Sequence, residues 1–386
     1  MNVRLKDPAF YLDPHDAYRR LRDEEPVWWD EEAKVWAVSR HADVMAVSRD
    51  PKTFCNGKGV LLTDRERGVA ATNSVLYLDP PEHQQHRKLV NPGFHPHRLV
   101  SLEPRVRELA KQIVDGLPEG EVFDLVEEVA VPLPLLVIAD MLGIPGDDRD
   151  AFKKWSDLLI EAATEFTEEN MTAALELFQY FAAVIEERRG QPGDDMISVL
   201  INGEVEGERL TEAELLGFCM TLLVAGNETT RNLISGGTRA LAEHPDQLAR
   251  LVADLDALPV AVDELLRWVT PVMSFARTAT CDTQVGDQAV REGDFVLLLY
   301  TSANRDKRAF GDTADQLDLW RSPNPHVGFG FGEHFCLGAN LARMETRVMF
   351  DELLRRFPRI ELAGEPDRLP SVLMNSLQRL PVVLSS

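Results

Sequence analysis

The 386-residue chain has few cysteines, a shortage of basic residues and no long apolar run, and each shortage excludes something. Its four cysteines, Cys55, Cys219, Cys281 and Cys336, stand far apart with no CxxC pair. That spacing excludes a disulfide framework or a zinc ribbon and points to a reducing cytoplasm. Lysine and arginine number 41 against 64 acidic residues, a formal net charge of −23. Such a surface repels nucleic acid and anionic membrane, and it favours solubility. The greasiest stretch, Val129 to Ile144, is interrupted by Pro132, Pro134 and Asp140. A membrane span needs roughly 20 predominantly apolar residues, so this run belongs to a core. Met1 to Asp16 holds Arg4, Lys6 and Asp7 and no apolar segment of the kind a secretory signal carries. No internal repeat or long Pro/Gly/Ser linker divides the chain, so 1–386 reads as a single domain.

The pattern that is there is mostly helical. Apolar residues recur three and four apart in Leu99 to Val114, Phe152 to Ile160, Ala173 to Glu187, Thr211 to Glu243 and Pro259 to Val269. Thr211-Glu212-Ala213-Glu214 spells a capping box, and His244-Pro245-Asp246 ends one helix and opens another. Pro14 to Glu24 reads as a helix, followed by a hairpin of Val27-Trp28-Trp29 and Val35-Trp36-Ala37-Val38 around a polar turn. Further strand-like runs are Phe275 to Thr280, Phe295 to Tyr300 and Pro381 to Leu384. The fold class is mainly α with small β pieces.

The segment FGFGEHFCLG, Phe329 to Gly338, carries the chemistry. Gly330, Gly332 and Gly338 permit backbone conformations closed to other residues and bring main chain close to something bulky. Cys336 immediately precedes a strongly periodic helix, whose dipole and free amides should lower the thiol pKa. Phe329 and Phe335 are placed to screen its sulfur. The residues alone leave two further readings. One is a buried structural cysteine, which needs no triple glycine. The other is a nucleophile with His334 as its base, although members of such dyads are normally brought together by the fold.

FGFGEHFCLG resembles the haem-binding loop of the cytochrome P-450 family at Phe329, Gly332, His334, Cys336 and Gly338. In that family a cysteine thiolate is the axial ligand of haem iron. The resemblance implies the P-450 fold, a helical prism around haem b (iron protoporphyrin IX) with a small β region. It also gives roles to three more motifs, in the family's order. Ala225-Gly226-Asn227-Glu228-Thr229-Thr230 lies inside the long helix, where Gly226 costs roughly 1 kcal/mol against alanine. Ala225 and Gly226 leave room on a helix face for the cofactor. The Thr229 hydroxyl can bond back to a carbonyl one turn earlier. Glu228 and Thr229 resemble the family's acid–alcohol pair, which delivers protons to dioxygen on the distal side. Taken alone, the motif fits a close helix crossing equally well.

Glu264-Leu265-Leu266-Arg267 is the family's ExxR, its charges on one helix face at i, i+3. An exposed pair of that spacing is worth little, so its meaning comes from its place about seventy residues before Cys336. The family's usual third, basic partner is missing from Asp312 to Asp318, and Arg321 and Arg305 are the two candidates to replace it. His83, Arg87, Arg277 and His334 are the expected partners of the haem propionates, because carboxylates on a buried cofactor need cationic donors. His83 with His86 could otherwise be a metal pair, though no third ligand follows.

The implied reaction inserts one atom of O2 into a C–H bond of a hydrophobic small molecule and reduces the other to water. No Gly-x-Gly-x-x-Gly fingerprint occurs, so electrons must come from another protein; in bacterial relatives this is a ferredoxin with its reductase. Between Pro80 and Gln112 six basic residues (87, 88, 98, 105, 107, 111) face three acids (82, 103, 108), and Arg343 and Arg347 extend a possible docking face. The family's pocket walls correspond to Val60 to Tyr77, Leu158 to Met171, Leu222, Val272, Met273, Phe275 and Met374, mostly apolar. Arg321-Ser322-Pro323-Asn324-Pro325-His326 resembles members acting on sterols and branched lipids; fatty acids and terpenoids are further candidates. The expected state is a cytoplasmic monomer without a membrane span. Rival readings are a peroxygenase of the same fold, which typically lacks the acid–alcohol pair, a non-catalytic haem sensor, and a cysteine hydrolase.

Overall fold

The computed structural model describes residues 3–67, 74–162, 167–191, 193, 195–205 and 207–386. Its organising element is the helix Glu212–Glu243. The capping box forms as spelled: the Glu214 amide donates to Thr211 Oγ1 at 3.3 Å, and the Thr211 amide donates to Glu214 Oε2 at 2.7 Å. Two amides that no helical carbonyl can reach are thereby satisfied. At the other end Pro245 occupies the first position of the helix Pro245–Ala253, where its missing N–H costs nothing.

Around this central helix pack Pro132–Leu142, Glu168–Gly190, Leu258–Val269 and Ala339–Arg356, and the last of these also lies along Pro96–Asp115. Pro132–Leu142 is the interrupted greasy run. Pro132 starts it, and Gly143, at φ +71°, ends it in the left-handed region that suits glycine. A continuous apolar core extends from Val90 to Leu384 and joins all of these helices. Each aliphatic or aromatic side chain buried there contributes roughly 1.5–3 kcal/mol. Among the described residues no helix is long and apolar enough to cross a membrane.

The β pieces near the two ends of the chain assemble in space. Val27–Asp30 and Val35–Val38 form the expected hairpin, and Phe295–Leu299 pairs parallel to its second strand. Ser274–Ala279 then adds antiparallel, and Phe54–Cys55 closes the five-stranded sheet. A second sheet orders Arg359–Leu362, Pro381–Ser385 and Val122–Asp124. The sheets thus fasten the first sixty residues to the segments that flank the cysteine loop.

Candidate active site

The cysteine loop is held by main chain. Cys336 donates its amide to the Phe329 carbonyl at 2.9 Å, and Phe335 donates to Gly332 at 3.1 Å. Gly330 and Gly332 have φ of +69° and +74°, which side chains rarely adopt. At Gly332 a Cβ would stand 2.1 Å from the Ser48 carbonyl oxygen, so the loop docks backbone to backbone on the helix His41–Arg49. Gly338 precedes Ala339–Arg356, and its amide hydrogen-bonds the Cys336 sulfur.

Two expectations about this loop need correcting. The Cys336 thiol is raised, not lowered, because burial outweighs the Gly338 amide and the positive charges of Arg87 and Arg343. Only coordination to a metal makes the thiolate the favoured form there. The second concerns the phenylalanines. Phe329 is buried, with the Arg343 guanidinium 4.6 Å above its ring, whereas Phe335 is 39% exposed and does not seal the site.

The four expected propionate partners converge. The rings of His83 and His334 lie 4.0 Å apart, and Arg87 donates to the carbonyls of Glu333 and Phe335 at 3.2 and 2.5 Å. Arg277 is buried and reaches the hydroxyl of Tyr300. Burial and the charges of its neighbours push His334 down to about 2, and burial with Arg87 lowers His83. His83 Nδ1 and His334 Nε2 are buried without a hydrogen-bond partner. Buried polar atoms left unpaired are costly, and two beside two guanidiniums suit an anionic group. Haem propionates fit that donor set, and the Cys336 sulfur fits its iron. His86 instead hydrogen-bonds Glu214 at 3.0 Å and the Glu82 carbonyl at 3.0 Å, which removes it from any pair with His83.

On the central helix Thr229 Oγ1 donates to the Ala225 carbonyl at 2.7 Å, the back-bond its sequence predicts. Ala225 is exposed and Val224 39% exposed in mid-helix, while Leu223, Asn227 and Glu228 are buried. The helix therefore borders a space on the Ala225 side. Gly226 does not share it, contrary to expectation: a Cβ there would meet Ile138 Cδ1 at 2.5 Å, so this glycine serves a close helix crossing. Glu228 is 3% exposed, and its carboxylate accepts from Arg231, Asn232 and Ser376.

The ExxR pair is fully buried and bidentate, with both N–O distances 2.7 Å. Arg267 also donates to the carbonyls of Asn304, Ala314 and Gln316 at 2.7 to 2.9 Å. The third partner is Arg321, whose Nε stands 3.2 and 3.3 Å from the Glu264 oxygens. Arg305 takes another place, its guanidinium 3.6 Å above the Trp268 ring. Asn324 and the Asp318 amide also donate to Glu264.

Of the expected pocket residues, Leu222, Val272, Phe275 and Met374 are half-buried, and Val272 bridges Met374 across an isolated antiparallel pair. Met273 differs: it is 3% exposed, and its amide donates to the Leu373 carbonyl at 2.8 Å, so it braces the wall from behind. The expected walls at 68–73 and 163–166 lie outside the described residues. The basic face is largely neutralised. Arg105 pairs with Asp140 and Glu108, Arg107 with Asp351 and Glu352, Lys111 with Asp115, Arg343 with Asp263 and Arg347 with Glu103. Sequence reasoning missed Arg231, Asn232 and Ser376 around Glu228, since no local spacing links a helix to a strand 144 residues on.

This is the geometry of a haem-thiolate oxygenase, and comparison with known proteins agrees. The family model for cytochrome P-450 matches residues 120–380. The chain is 39% identical to linalool 8-monooxygenase of Pseudomonas putida over 399 residues, covering 98% of each. It is 39% identical to steroid C26-monooxygenase of Mycolicibacterium smegmatis, covering 100% of this chain and 96% of that enzyme. A solved Bacillus megaterium cytochrome P-450 in complex with testosterone matches with a TM-score of 0.87 and 36% identity, over 96% of this chain and 99% of that one. The chain belongs to the cytochrome P-450 family. It is a monooxygenase whose cofactor is haem.

Proposed function

We propose that the chain, acting as one domain, holds haem through Cys336 Sγ and hydroxylates a hydrophobic terpenoid, steroid or branched lipid. The observation that carries the site reading is the pair of buried, unpartnered nitrogens of His83 and His334 beside Arg87 and Arg277, on the same loop and helix system as Cys336. Bound haem supplies the activation of dioxygen, one atom entering a C–H bond and the other leaving as water. His83, Arg87, Arg277 and His334 hold the propionates and neutralise them. Gly338 and Phe329 set the polarity around the sulfur, its amide donating to the thiolate and its ring excluding water. Thr229 keeps its hydroxyl at the open face of the central helix, and Glu228 supplies the proton that Thr229 passes on.

The substrate class rests on the apolar character of Leu222, Val272, Phe275 and Met374, and on the named substrates of the linalool and steroid relatives. Electrons come from a separate ferredoxin, and the chain works as a cytoplasmic monomer. Lys88, exposed on the helix that carries Arg87, is the cation best available for that docking.

Replacing Cys336 with Ala tests the ligand. The reduced, carbon monoxide-treated protein should lose the red-shifted Soret band typical of thiolate ligation, and an unchanged band would sink the assignment. Thr229→Ala should keep that band but divert reducing equivalents to peroxide; unchanged coupling of electrons to product would count against its role. A spin-state titration with testosterone, linalool and a methyl-branched fatty acid discriminates the substrate classes.

A further inference from the structure

The Glu228 carboxylate is enclosed by groups that belong to no proton path described so far. Ser376, on the strand Ser376–Arg379, donates to Glu228 Oε1 at 3.0 Å. Asn232 Nδ2 donates to the same oxygen at 3.1 Å and to Ser376 Oγ at 2.8 Å, closing a triangle. Arg231 donates to Oε2 at 3.2 Å. Glu228, Asn232 and Ser376 are 3%, 1% and 2% exposed. A helix turns about 100° per residue. Residues 225 and 229 therefore share one face, and 228 and 232 share the next.

We propose that Ser376 and Asn232 are positioning residues that latch Glu228 away from the Thr229 face, and that proton delivery requires the latch to open. The inference rests on the reading of Glu228 as the proton carrier. In the latched state every lone pair that matters is occupied by a donor, and no partner of the carboxylate lies on the Thr229 side. Once released and protonated from water, the carboxyl gives its proton to Thr229 Oγ1, while the proton Thr229 held moves to the reacting oxygen. The carboxylate then regains a proton from water, so the cycle balances.

The strand offers the trigger. Two residues before Ser376, Met374 bridges Val272, and Asn375 donates its amide to the Pro271 carbonyl at 2.9 Å. A molecule pressing on that apolar wall acts next to the hydroxyl that holds the acid. Occupancy of the pocket and availability of the proton are thereby linked through one short segment.

The test needs no known substrate. Reduced holoprotein is mixed with dioxygen, and peroxide release is followed in H2O and in D2O. Ser376→Ala should accelerate release about tenfold, the factor that loss of one hydrogen bond of ordinary strength implies. Ser376→Thr, which keeps the hydroxyl, should restore the original rate. Adding Glu228→Gln to Ser376→Ala should abolish the acceleration. If Ser376→Ala leaves the rate unchanged, or if the acceleration survives Glu228→Gln, the latch is overturned. Glu228→Gln alone addresses the reading beneath it: an unaltered solvent isotope effect removes Glu228 as carrier, whatever Ser376 does. Should the alanine variant fail to hold haem, Ser376→Cys keeps its volume and replaces it. An infrared carboxyl band lost in Glu228→Gln should also shift in the Ser376 variant; a band that stays put contradicts the contact.

Discussion

Two buried glutamates in this chain each pair with an arginine three residues on, and they are held very differently. Glu264 and Arg267 meet through two short bonds, and every remaining donor of the pair finds a backbone carbonyl, Arg321 or Asn324. Glu228 and Arg231 meet through one bond at 3.2 Å, and Arg231 Nε is buried without a partner. The first pair ties the helix Leu258–Val269 to the segment leading into the cysteine loop. The second lies on the central helix beside the space that Ala225 borders. An ion pair built into many bonds fixes a geometry, whereas one held by few can rearrange. Rigidity is placed on the cysteine side, and freedom on the side where protons must move.

Removing one member of the saturated pair should have the largest effect. Arg267→Ala leaves Glu264 buried against Arg321 alone, and a broken buried pair costs about 3–5 kcal/mol. Denaturant unfolding and haem content should both fall sharply; a variant of ordinary stability would erase the contrast between the two pairs. A third glutamate extends the comparison. Glu345 is 1% exposed with Oε2 unpartnered, and burial pushes it up to about 8 from its ordinary 4.5. The folded state therefore holds a proton that the unfolded state releases. This stability is fully present below about 4.5 and is lost as pH rises through about 8. Glu345→Gln should flatten that decline and exceed the unaltered protein by a few kcal/mol in mildly alkaline buffer, on the order expected for such a shift. Melting curves across that range check it, and parallel pH profiles would refute it. The smallest change belongs to the loose pair. Arg231→Gln should cost about 1 kcal/mol. Its mark should be a changed solvent isotope effect on peroxide release, with stability nearly intact.

Much of this could be read in advance where chemistry depends on neighbours in sequence. Cys336 with its glycines, the Thr229 back-bond to Ala225 and the Thr211 capping box are local, and they stand in the structure as their spacing implies. The convergence of His83, Arg87, Arg277 and His334 was readable only through family resemblance, because each comes from a different segment. What escaped was decided by tertiary contact. Gly226 meets Ile138, Arg321 rather than Arg305 reaches Glu264, and the cations after Pro80 meet acids on other helices. The direction of the Cys336 shift escaped for a related reason. A helix terminus is visible in a sequence, but the depth at which a thiol is buried is not.

The contact between Gly332 and the Ser48 carbonyl has a consequence for cutting the chain. The family model begins at residue 120, yet the loop it recognises rests on a helix that ends at Arg49. His41 strengthens that seat by a hydrogen bond of 2.7 Å to the Pro325 carbonyl, just ahead of the loop. A fragment spanning only the recognised region would carry the cysteine and lose the surface that shapes its loop. Supplied as a separate polypeptide, the first third of the chain should dock back and restore haem uptake. The metal site is in this sense a joint between two pieces that share no sequence motif.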